Sequence, residues 1–276
     1  MTEALSEKLR RLKAALRAPG GAAVAFSGGV DSALLLRVAQ EVLGEKCLAV
    51  TVRSAFFPAR EAAEAAALCA EIGVELFTPE VDVLAVPGVA ENPPERCYLC
   101  KRAILGAVCG LAAQRGIAYV CEGSNTDDLG DYRPGRRAVE ELGVRSPLLE
   151  AGLSKAEIRE LSRAYGLPTA DKPAAACLAS RFAFGETITP RALQMVEQGE
   201  AYLRSLGLTQ LRLRTERGAA RIEALPAEFP LVTANAAETD AALRALGFRS
   251  VSLDLGGYRT GSMNPPNKSD ETTFQT

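Results

Sequence analysis

Histidine is missing from the whole sequence of 276 residues. This absence excludes nucleophile systems that pair serine or cysteine with histidine, and it excludes zinc sites with histidine ligands. Acid–base work in this protein must therefore use Asp, Glu, Lys, Tyr, Cys or water.

A basic excess is also missing, because 32 Lys and Arg residues stand against 34 Asp and Glu, for a formal net charge of −2. A domain that binds the backbone of a nucleic acid usually carries a visible surplus of positive charge. We therefore expect a small-molecule partner and no nucleic-acid partner.

Long apolar runs are absent as well, and the charged N-terminal residues 1–16 lack the apolar centre of a signal peptide. We expect a cytoplasmic protein without a membrane partner. Its seven cysteines are then expected to be reduced thiols, and their odd number argues against a complete disulfide framework.

Strand-like and helix-like segments alternate over the first part of the chain. The short apolar runs that suit buried strands are 22–26, 47–52, 74–77 and 117–121. The segments that suit helices are 4–17, which is amphipathic, and 31–43, 58–72, 101–115 and 154–165. This alternation predicts an α/β fold with a doubly wound parallel sheet, which binds ligands at the carboxyl ends of its strands.

The pattern changes after about residue 185. Half-buried strands are predicted at 210–214, 220–225 and 250–255, and helices at 189–206 and 236–246, with Asn235 as an N-cap. We therefore predict a first domain over 1–184, a smaller α+β domain over 185–262 and a disordered tail over 263–276.

The segment SGGVDS at 27–32 lies between a predicted strand and a predicted helix. Its glycines allow a tight turn and a close approach to an anion, and the N–H groups of the helix start favour phosphate. The hydroxyls of Ser27 and Ser32 can donate further hydrogen bonds. The lysine and the spacing of a Walker A loop are absent, so this is a phosphate loop of another kind.

SGGVDS resembles the signature of the PP-loop ATP pyrophosphatases, which cleave ATP between its α and β phosphates and hold the pyrophosphate, with magnesium, in this loop. The segment EGSNTDD at 122–128 follows a predicted strand and offers hard oxygen ligands, although an Asx-rich turn accounts for it equally well by itself. Asp127 and Asp128 could supply such ligands, and we expect magnesium at Asp31 and Asp127. The resemblance implies an ATP site formed by Ser27, Gly28, Gly29, Asp31, Ser32, Asn125, Asp128 and Arg181.

Cys177 lies in DKPAAACLASRF at 171–182, where small residues surround the sulfur and Lys172 and Arg181 supply nearby cations. Cations lower the pKa of a thiol. A single loop cysteine is more often inert, but beside an adenylating site a thiolate is the natural nucleophile for an activated carboxylate.

The sequence around the other cysteines indicates a chemical role less clearly. Cys97 and Cys100 form a C-x-x-C without a second pair for zinc, so a redox role and a structural role both remain open. The remaining thiols lie in apolar runs and are expected to be small buried hydrophobic groups: Cys47, Cys69, Cys109 and Cys121.

A wider set of segments between residues 26 and 264 resembles the LarE family: SGGVDS, RCYLCK, EGSNTDD, DYRPG, KPAAACLASRF, RLRTERGAARIE and LDLGGYRTGSMN. The family makes the organic part of the nickel-pincer nucleotide cofactor of lactate racemase. Its members adenylate pyridinium-3,5-biscarboxylic acid mononucleotide, and a cysteine then gives its sulfur and becomes dehydroalanine. By its position in the motif, Cys177 is implied to be the donor.

Some relatives carry three clustered cysteines thought to hold an iron–sulfur cluster, whereas no cysteine follows Cys177 here. We therefore expect the sacrificial form, in which each chain gives one sulfur, and no iron–sulfur cluster. Because family members are oligomers, the resemblance also implies a homo-oligomer.

Arg212 and Arg214 lie two positions apart on a predicted strand, so they share one face. A pair of guanidinium groups suits a phosphate, although a solvated strand face is the alternative. The resemblance favours the phosphate of the substrate, with Glu200 orienting the arginines or handling protons in the elimination. Two other functions stay open, a tRNA-modifying PP-loop thiolase and an amide-forming ATP-dependent ligase.

Overall fold

The computed structural model describes residues 1–130, 134–173 and 176–259. The chain separates into two compact units, Met1–Cys177 and Leu178–Thr276. This boundary comes earlier than the predicted one between 184 and 185, because the helical turn Leu178–Arg181 packs on elements of the second unit. The predicted tail at 263–276 and residues 131–133 of the DYRPG segment lie outside the described residues.

The first unit is an α/β layer structure, as the sequence predicts. Its helices include α1 (Glu3–Arg17), α2 (Val30–Leu43), α3 (Ala59–Ile72), α4 (Arg96–Gln114), α5 (Gly135–Glu141), α6 (Pro147–Glu150) and α7 (Lys155–Ala164). Its strands β1 (Ala22–Ala25), β2 (Cys47–Val50), β3 (Glu75–Phe77) and β4 (Val120–Cys121) form a parallel sheet in the order β3-β2-β1-β4.

Both faces of this sheet are covered by helices. Along β1, Ala22 and Val24 join a core cluster that includes buried leucines of α1 and α2, whereas Ala23 joins a second cluster with Leu105 and Val108 of α4. A parallel strand buried on both faces is an almost continuous apolar run, which is why β1 reads AAVA. The carboxyl ends of the strands meet at one edge, where the loops carry the predicted nucleotide residues.

The second unit is a smaller α+β structure, as predicted. Its helices include α8 (Pro190–Ser205), α9 (Phe229–Ala234) and α10 (Ala236–Leu246). Its strands β5 (Leu211–Glu216), β6 (Ala219–Ala224) and β7 (Ser250–Leu253) form a sheet in the order β5-β6-β7, antiparallel between β5 and β6 and parallel between β6 and β7. Gly199 lets α8 lie close to this sheet, because an added Cβ would come within 2.3 Å of the Leu213 side chain.

Several local details differ from the predictions. Helix α4 begins at Arg96 rather than at residue 101, so the C-x-x-C lies in its first turns. Asn235 lies at the N-cap position of α10, as predicted, but its side chain makes no capping hydrogen bond and donates to the carbonyl of Leu231 instead. Helix α7 begins with a capping box, in which the side chains of Ser154 and Glu157 each accept a hydrogen bond from the other residue's backbone N–H. Within the described residues, no helix is both long enough and apolar enough to cross a membrane.

Candidate active site

The SGGVDS loop joins β1 to α2. Gly28 has a φ of +72°, in the region that favours glycine. The hydroxyl oxygens of Ser27 and Ser32 lie 3.1 Å apart, and the Ser32 hydroxyl donates to the carbonyl of Gly29 at 3.1 Å. The two predicted hydroxyls are thus brought together at the N-terminus of a helix, where backbone N–H groups attract anions.

A second loop touches this one directly. An added Cβ at Gly123 would lie 3.0 Å from the backbone nitrogen of Ser32 and 3.2 Å from the Cβ of Asp31. A side chain at position 123 would therefore push the loop after β4 a few tenths of an ångström away from the phosphate loop. The sequence analysis assigned Gly123 no role, although a glycine just after a strand at the ligand edge was a usable signal.

The predicted acidic residues lie in one hydrogen-bonded group. The Asn125 amide donates to Asp31 Oδ1 at 3.2 Å, and its backbone N–H donates to Asp128 Oδ2 at 2.9 Å. Lys155 completes the group, because its Nζ donates to Asp31 Oδ2 at 2.5 Å and its backbone N–H donates to Asp127 Oδ2 at 3.1 Å. Sequence reasoning missed Lys155, which lies far from the motifs it supports.

These oxygen donors are of the type that magnesium prefers. Asp31 and Asp128 line the cavity described below, whereas Asp127 is not among its lining residues. In the described part of the chain, no group of three or more His, Cys, Asp or Glu side chains is arranged to hold a metal. A magnesium ion here would therefore need water and phosphate oxygens to complete its coordination shell, as magnesium usually does at nucleotide sites.

A cavity of about 350 Å³ opens at the carboxyl edge of the parallel sheet. Such a volume is in the range of small-ligand sites. Its polar part includes Ser27, Asp31, Ser32, Glu122 and Asp128, and its apolar part includes Val50, Val52, Phe56, Phe57, Ile104 and Leu105. Cys177 and Cys100 also line it, so the predicted donor and the phosphate loop share one cavity within the first unit.

The cysteines differ sharply in environment. Cys177 is exposed, whereas burial raises the pKa of Cys100 to about 12, with Cys177 and Cys97 adding to the shift. Cys97 is exposed, receives a hydrogen bond from Arg96 and is not among the cavity-lining residues. Three of the remaining thiols are buried, as expected: Cys47, Cys69 and Cys121. Cys109 is only half-buried.

The two cations predicted beside Cys177 have partners of their own. Lys172 donates to Glu61 and Glu64 of α3 and to the carbonyl of Gly28. Arg181 belongs to the second unit and forms an ion pair there. The ammonium group of Lys172, which was expected to lower the pKa of the Cys177 thiol, is therefore bonded to Glu61 and Glu64 instead.

Glu122 places a buried carboxylate in the cavity wall. Lys101 Nζ donates to it at 3.0 Å, the Ser146 hydroxyl at 2.7 Å and the Ser124 N–H at 3.0 Å. Burial alone would raise the pKa of Glu122, but the Lys101 charge and these hydrogen bonds outweigh it and hold the pKa below its ordinary value. The side chain is therefore an anion at neutral pH.

In the second unit, Arg212 and Arg214 lie on one face of β5 and are 8% and 6% exposed, which excludes a solvated strand face. Arg214 donates to Glu223 at 3.0 Å and to the carbonyl of Ser180 at 2.7 Å. The guanidinium of Arg212 lies 5.1 Å from the ring centre of Tyr258.

Arg181 joins these two side chains in an arginine cluster (Arg181, Arg212 and Arg214). It donates to both carboxylate oxygens of Glu200, at 2.8 and 3.0 Å, and the Leu213 N–H donates to the same carboxylate at 3.1 Å. Burial, followed by the charge of Arg181, lowers the pKa of Arg212. Glu200 thus orients Arg181 directly. Arg181, which was predicted to bind ATP, lies among the arginines that were predicted to bind the substrate phosphate.

Comparison with known proteins agrees with this geometry. Residues 3–86, which include the phosphate loop, match the NAD synthase family. An uncharacterised protein of Synechocystis sp. is 41% identical over 262 residues, which cover 94% of this chain and 98% of that protein. An uncharacterised protein of Methanocaldococcus jannaschii is 28% identical over 237 residues, or 86% of this chain and 90% of that protein.

A third relative has a named activity. Pyridinium-3,5-bisthiocarboxylic acid mononucleotide synthase of Lactiplantibacillus plantarum is 38% identical over 261 residues, covering 94% of this chain and 95% of that protein. The similarity therefore spans the phosphate loop, Cys177 and the arginine cluster alike. With an ATP-type phosphate loop and a cysteine in one cavity, the chain belongs to the LarE family of ATP-dependent PP-loop sulfur transferases.

Proposed function

We propose that this protein adenylates a carboxylate of pyridinium-3,5-biscarboxylic acid mononucleotide and then transfers the sulfur of Cys177 to it. The observation that carries the proposal is that Cys177 lines the same cavity as Ser27, Asp31 and Ser32. The substrate is inferred from the name of the relative in Lactiplantibacillus plantarum, which describes the corresponding bisthiocarboxylic product.

ATP fits the two halves of the cavity. The N–H groups at the start of α2 and the hydroxyls of Ser27 and Ser32 suit the phosphates, and the apolar half suits the adenine ring. Magnesium held by Asp31 and Asp127 would neutralise charge on the departing pyrophosphate. In the second unit, Arg212 and Arg214 are proposed to bind the phosphate of the mononucleotide, with Glu200 holding Arg181 beside them.

The proposed reaction has three steps. A carboxylate oxygen of the substrate attacks the α-phosphorus of ATP, and pyrophosphate leaves. The Cys177 thiolate then attacks the acyl carbon, and AMP leaves with that carboxylate oxygen. Loss of the Cα proton of Cys177 finally supplies the electron pair for a Cα=Cβ bond while the Cβ–Sγ bond breaks. The products are a thiocarboxylate on the substrate and dehydroalanine in the protein.

Intact mass spectrometry tests this proposal. After incubation with ATP, magnesium and the mononucleotide, the protein is expected to lose the mass of one H₂S at residue 177. Cys177→Ala should keep its mass but still release AMP and pyrophosphate, because the adenylate then hydrolyses. Cys97→Ala is the matched control, since Cys97 does not line the cavity, and it should still transfer sulfur.

An unchanged wild-type mass, with AMP and pyrophosphate released, would overturn the sacrificial mechanism. A product that depends on added ammonia and survives Cys177→Ala would instead identify an amide-forming ligase. Sulfur transfer to tRNA by a cysteine that is recovered intact would identify a tRNA thiolase.

A further inference from the structure

Asp31 has both carboxylate oxygens bonded to other side chains. Its Oδ1 accepts from the Asn125 amide at 3.2 Å, and its Oδ2 accepts from Lys155 Nζ at 2.5 Å. The Asp31 side chain is 24% exposed and lines the cavity, so a metal ion that enters with ATP can reach it. Such an ion needs one of the two oxygens as a ligand, and one of the two bonds must therefore open.

Lys155 is bonded to both of the carboxylates that were predicted to hold magnesium. Its ammonium group contacts Asp31, and its backbone N–H donates to Asp127 Oδ2 at 3.1 Å. Lys155 is also the first residue of α7, whose start is fixed by the capping box of Ser154 and Glu157. The backbone of Lys155 is therefore held beside the predicted ligands, whereas its charge lies at the end of a flexible side chain.

The two partners of Asp31 differ in how easily they can leave. The Asn125 side chain belongs to a closely bonded turn, because its oxygen accepts from the Asp127 N–H at 3.0 Å and its backbone N–H donates to Asp128 at 2.9 Å. The Lys155 side chain is 32% exposed, and within the described residues its ammonium group is bonded to Asp31 alone. The ammonium group is therefore the partner that gives way.

A magnesium ion and the ammonium group compete for this oxygen. Magnesium binds oxygen at about 2.0–2.1 Å. The Lys155 nitrogen lies 2.5 Å from Asp31 Oδ2, so the two cations would be at most about 4.6 Å apart, where like charges repel each other. A metal ion bound to Asp31 thus displaces Lys155, and Lys155 bound to Asp31 opposes the metal ion.

We infer that Lys155 is a stand-in cation, which neutralises Asp31 in the absence of nucleotide and keeps free divalent metal from binding there. ATP brings phosphate oxygens that complete the coordination shell of the ion, so magnesium displaces Lys155 only together with the nucleotide. The inference rests on the magnesium and ATP site of the proposed function, but it does not depend on sulfur transfer.

The test is the affinity of the nucleotide-free protein for Mn²⁺, measured by electron paramagnetic resonance. In Lys155→Met the affinity is expected to rise at least about tenfold, because the Asp31 oxygen is then free. A merely structural role of Lys155 would instead weaken metal binding. Lys155→Arg keeps the charge and should bind Mn²⁺ as weakly as the wild type, and adding Asp31→Asn to Lys155→Met should remove the gain.

Lys8→Met is the matched control. Lys8 also forms an ion pair with a carboxylate of α7, to Glu157 at 2.7 Å, but it does not line the cavity. Its loss should leave the Mn²⁺ affinity unchanged.

Lysine labelling with acetic anhydride, followed by peptide mass spectrometry, needs no variant and serves if Lys155→Met does not fold. Saturating Mn²⁺ should raise the labelling of Lys155 in the wild type at least about threefold and leave that of Lys8 unchanged.

An Mn²⁺ affinity that is unchanged or lower in folded Lys155→Met, or a labelling of Lys155 that does not respond to the metal, would overturn the inference. Failure of the proposed function looks different. Lys155→Met would still bind Mn²⁺ more tightly, but the wild type would lose no H₂S with ATP and the mononucleotide.

Discussion

Arg214 and Glu223 form a buried ion pair inside the arginine cluster. Their side chains are 8% and 1% exposed and lie 3.0 Å apart. Two such charges stabilise each other, and removing one partner leaves the other buried with less compensation. The pair therefore contributes to folding as well as to the predicted phosphate site, and the two roles can be separated.

We predict that Arg214→Met lowers the free energy of unfolding by about 3 kcal/mol. The double variant Arg214→Met with Glu223→Leu should recover most of this loss, because no buried carboxylate is left behind. Both variants should still bind the mononucleotide at least about tenfold more weakly than the wild type does. Denaturant unfolding and calorimetric titration with the mononucleotide measure the two effects, and equal destabilisation of both variants would contradict this explanation.

Glu122 gives a prediction about pH. Its folded pKa lies below the ordinary value of 4.5, so its stabilising contribution is present above about pH 4.5 and is lost as the pH falls through the folded pKa. We expect Glu122→Gln to lose about 1.5–3 kcal/mol at pH 7, and a smaller amount below pH ~4.

Thermal melts of the wild type and Glu122→Gln at the two pH values measure this difference. Glu140→Gln is the control, because Glu140 is an exposed partner of Arg136 within one helix and should change stability little at either pH. A penalty for Glu122→Gln that does not shrink at acid pH would show that the carboxylate charge is not what stabilises the fold.

At the scale of elements, the nucleotide edge depends on how closely two loops approach. The loop after β4 lies so close to the start of α2 that a Cβ at residue 123 would be 3.0 Å from the backbone nitrogen of Ser32. Asn125 then bonds to Asp31 and joins the two loops. The spacing of the loops is thus set by a single glycine and one amide.

We predict that Gly123→Ala destabilises the protein by about 1–3 kcal/mol and weakens ATP binding, because the Ser32 N–H must move. Gly106→Ala is the matched control: Gly106 lies inside α4 with nothing within 4 Å of an added Cβ. That substitution should stabilise the protein by about 0.5–1 kcal/mol and leave ATP binding unchanged. Denaturant unfolding and calorimetric titration with ATP distinguish the cases, and tight ATP binding by Gly123→Ala would contradict this account.

At the scale of the whole molecule, the proposed sacrificial mechanism makes the number of suitable thiols the limit on turnover. No cysteine follows Cys177, and Cys47, Cys69 and Cys121 are buried away from solvent. Cys100 lines the cavity, but its pKa of about 12 keeps it a thiol rather than a thiolate at neutral pH.

We therefore predict that sulfur transfer stops at one thiocarboxylate per chain, even with ATP and mononucleotide in about tenfold excess. Quantitative chromatography of the product against protein concentration measures the plateau. Cys100→Ala should reach the same plateau as the wild type. A plateau near two per chain that falls to one in Cys100→Ala would identify Cys100 as a second donor.

The fold could be predicted from the sequence to a useful degree. Strand β1 and helix α2 were found because the apolar run AAVA and the helical segment that follows the phosphate loop are local signals. The start of α4 at Arg96 was missed because the preceding Pro-containing segment and the C-x-x-C hide the helical pattern. Asn235 was correctly placed at the start of α10, but the sequence pattern could not show that its amide donates to the Leu231 carbonyl instead of capping the helix.

The candidate site, like the fold, could be predicted only in part from the sequence. Ser27, Ser32 and Asp31 were predicted from one continuous motif, and Asn125 and Asp128 from another. The partner Lys155 was not, because an ion pair between residues distant in the chain leaves no pattern in either segment. Arg181 was assigned to ATP, yet its hydrogen bonds place it with Glu200 in the arginine cluster.

The sequence by itself determined the α/β class, the phosphate loop and the single cysteine in its ACLASR segment, because each depends on composition or on spacing along the chain. Only the tertiary structure decided that Cys100 lines the same cavity as Cys177, that Lys155 pairs with Asp31 and that Lys172 holds the Gly28 carbonyl. The physical reason is that hydrogen bonds and ion pairs act at about 3 Å in space, whatever the distance along the chain.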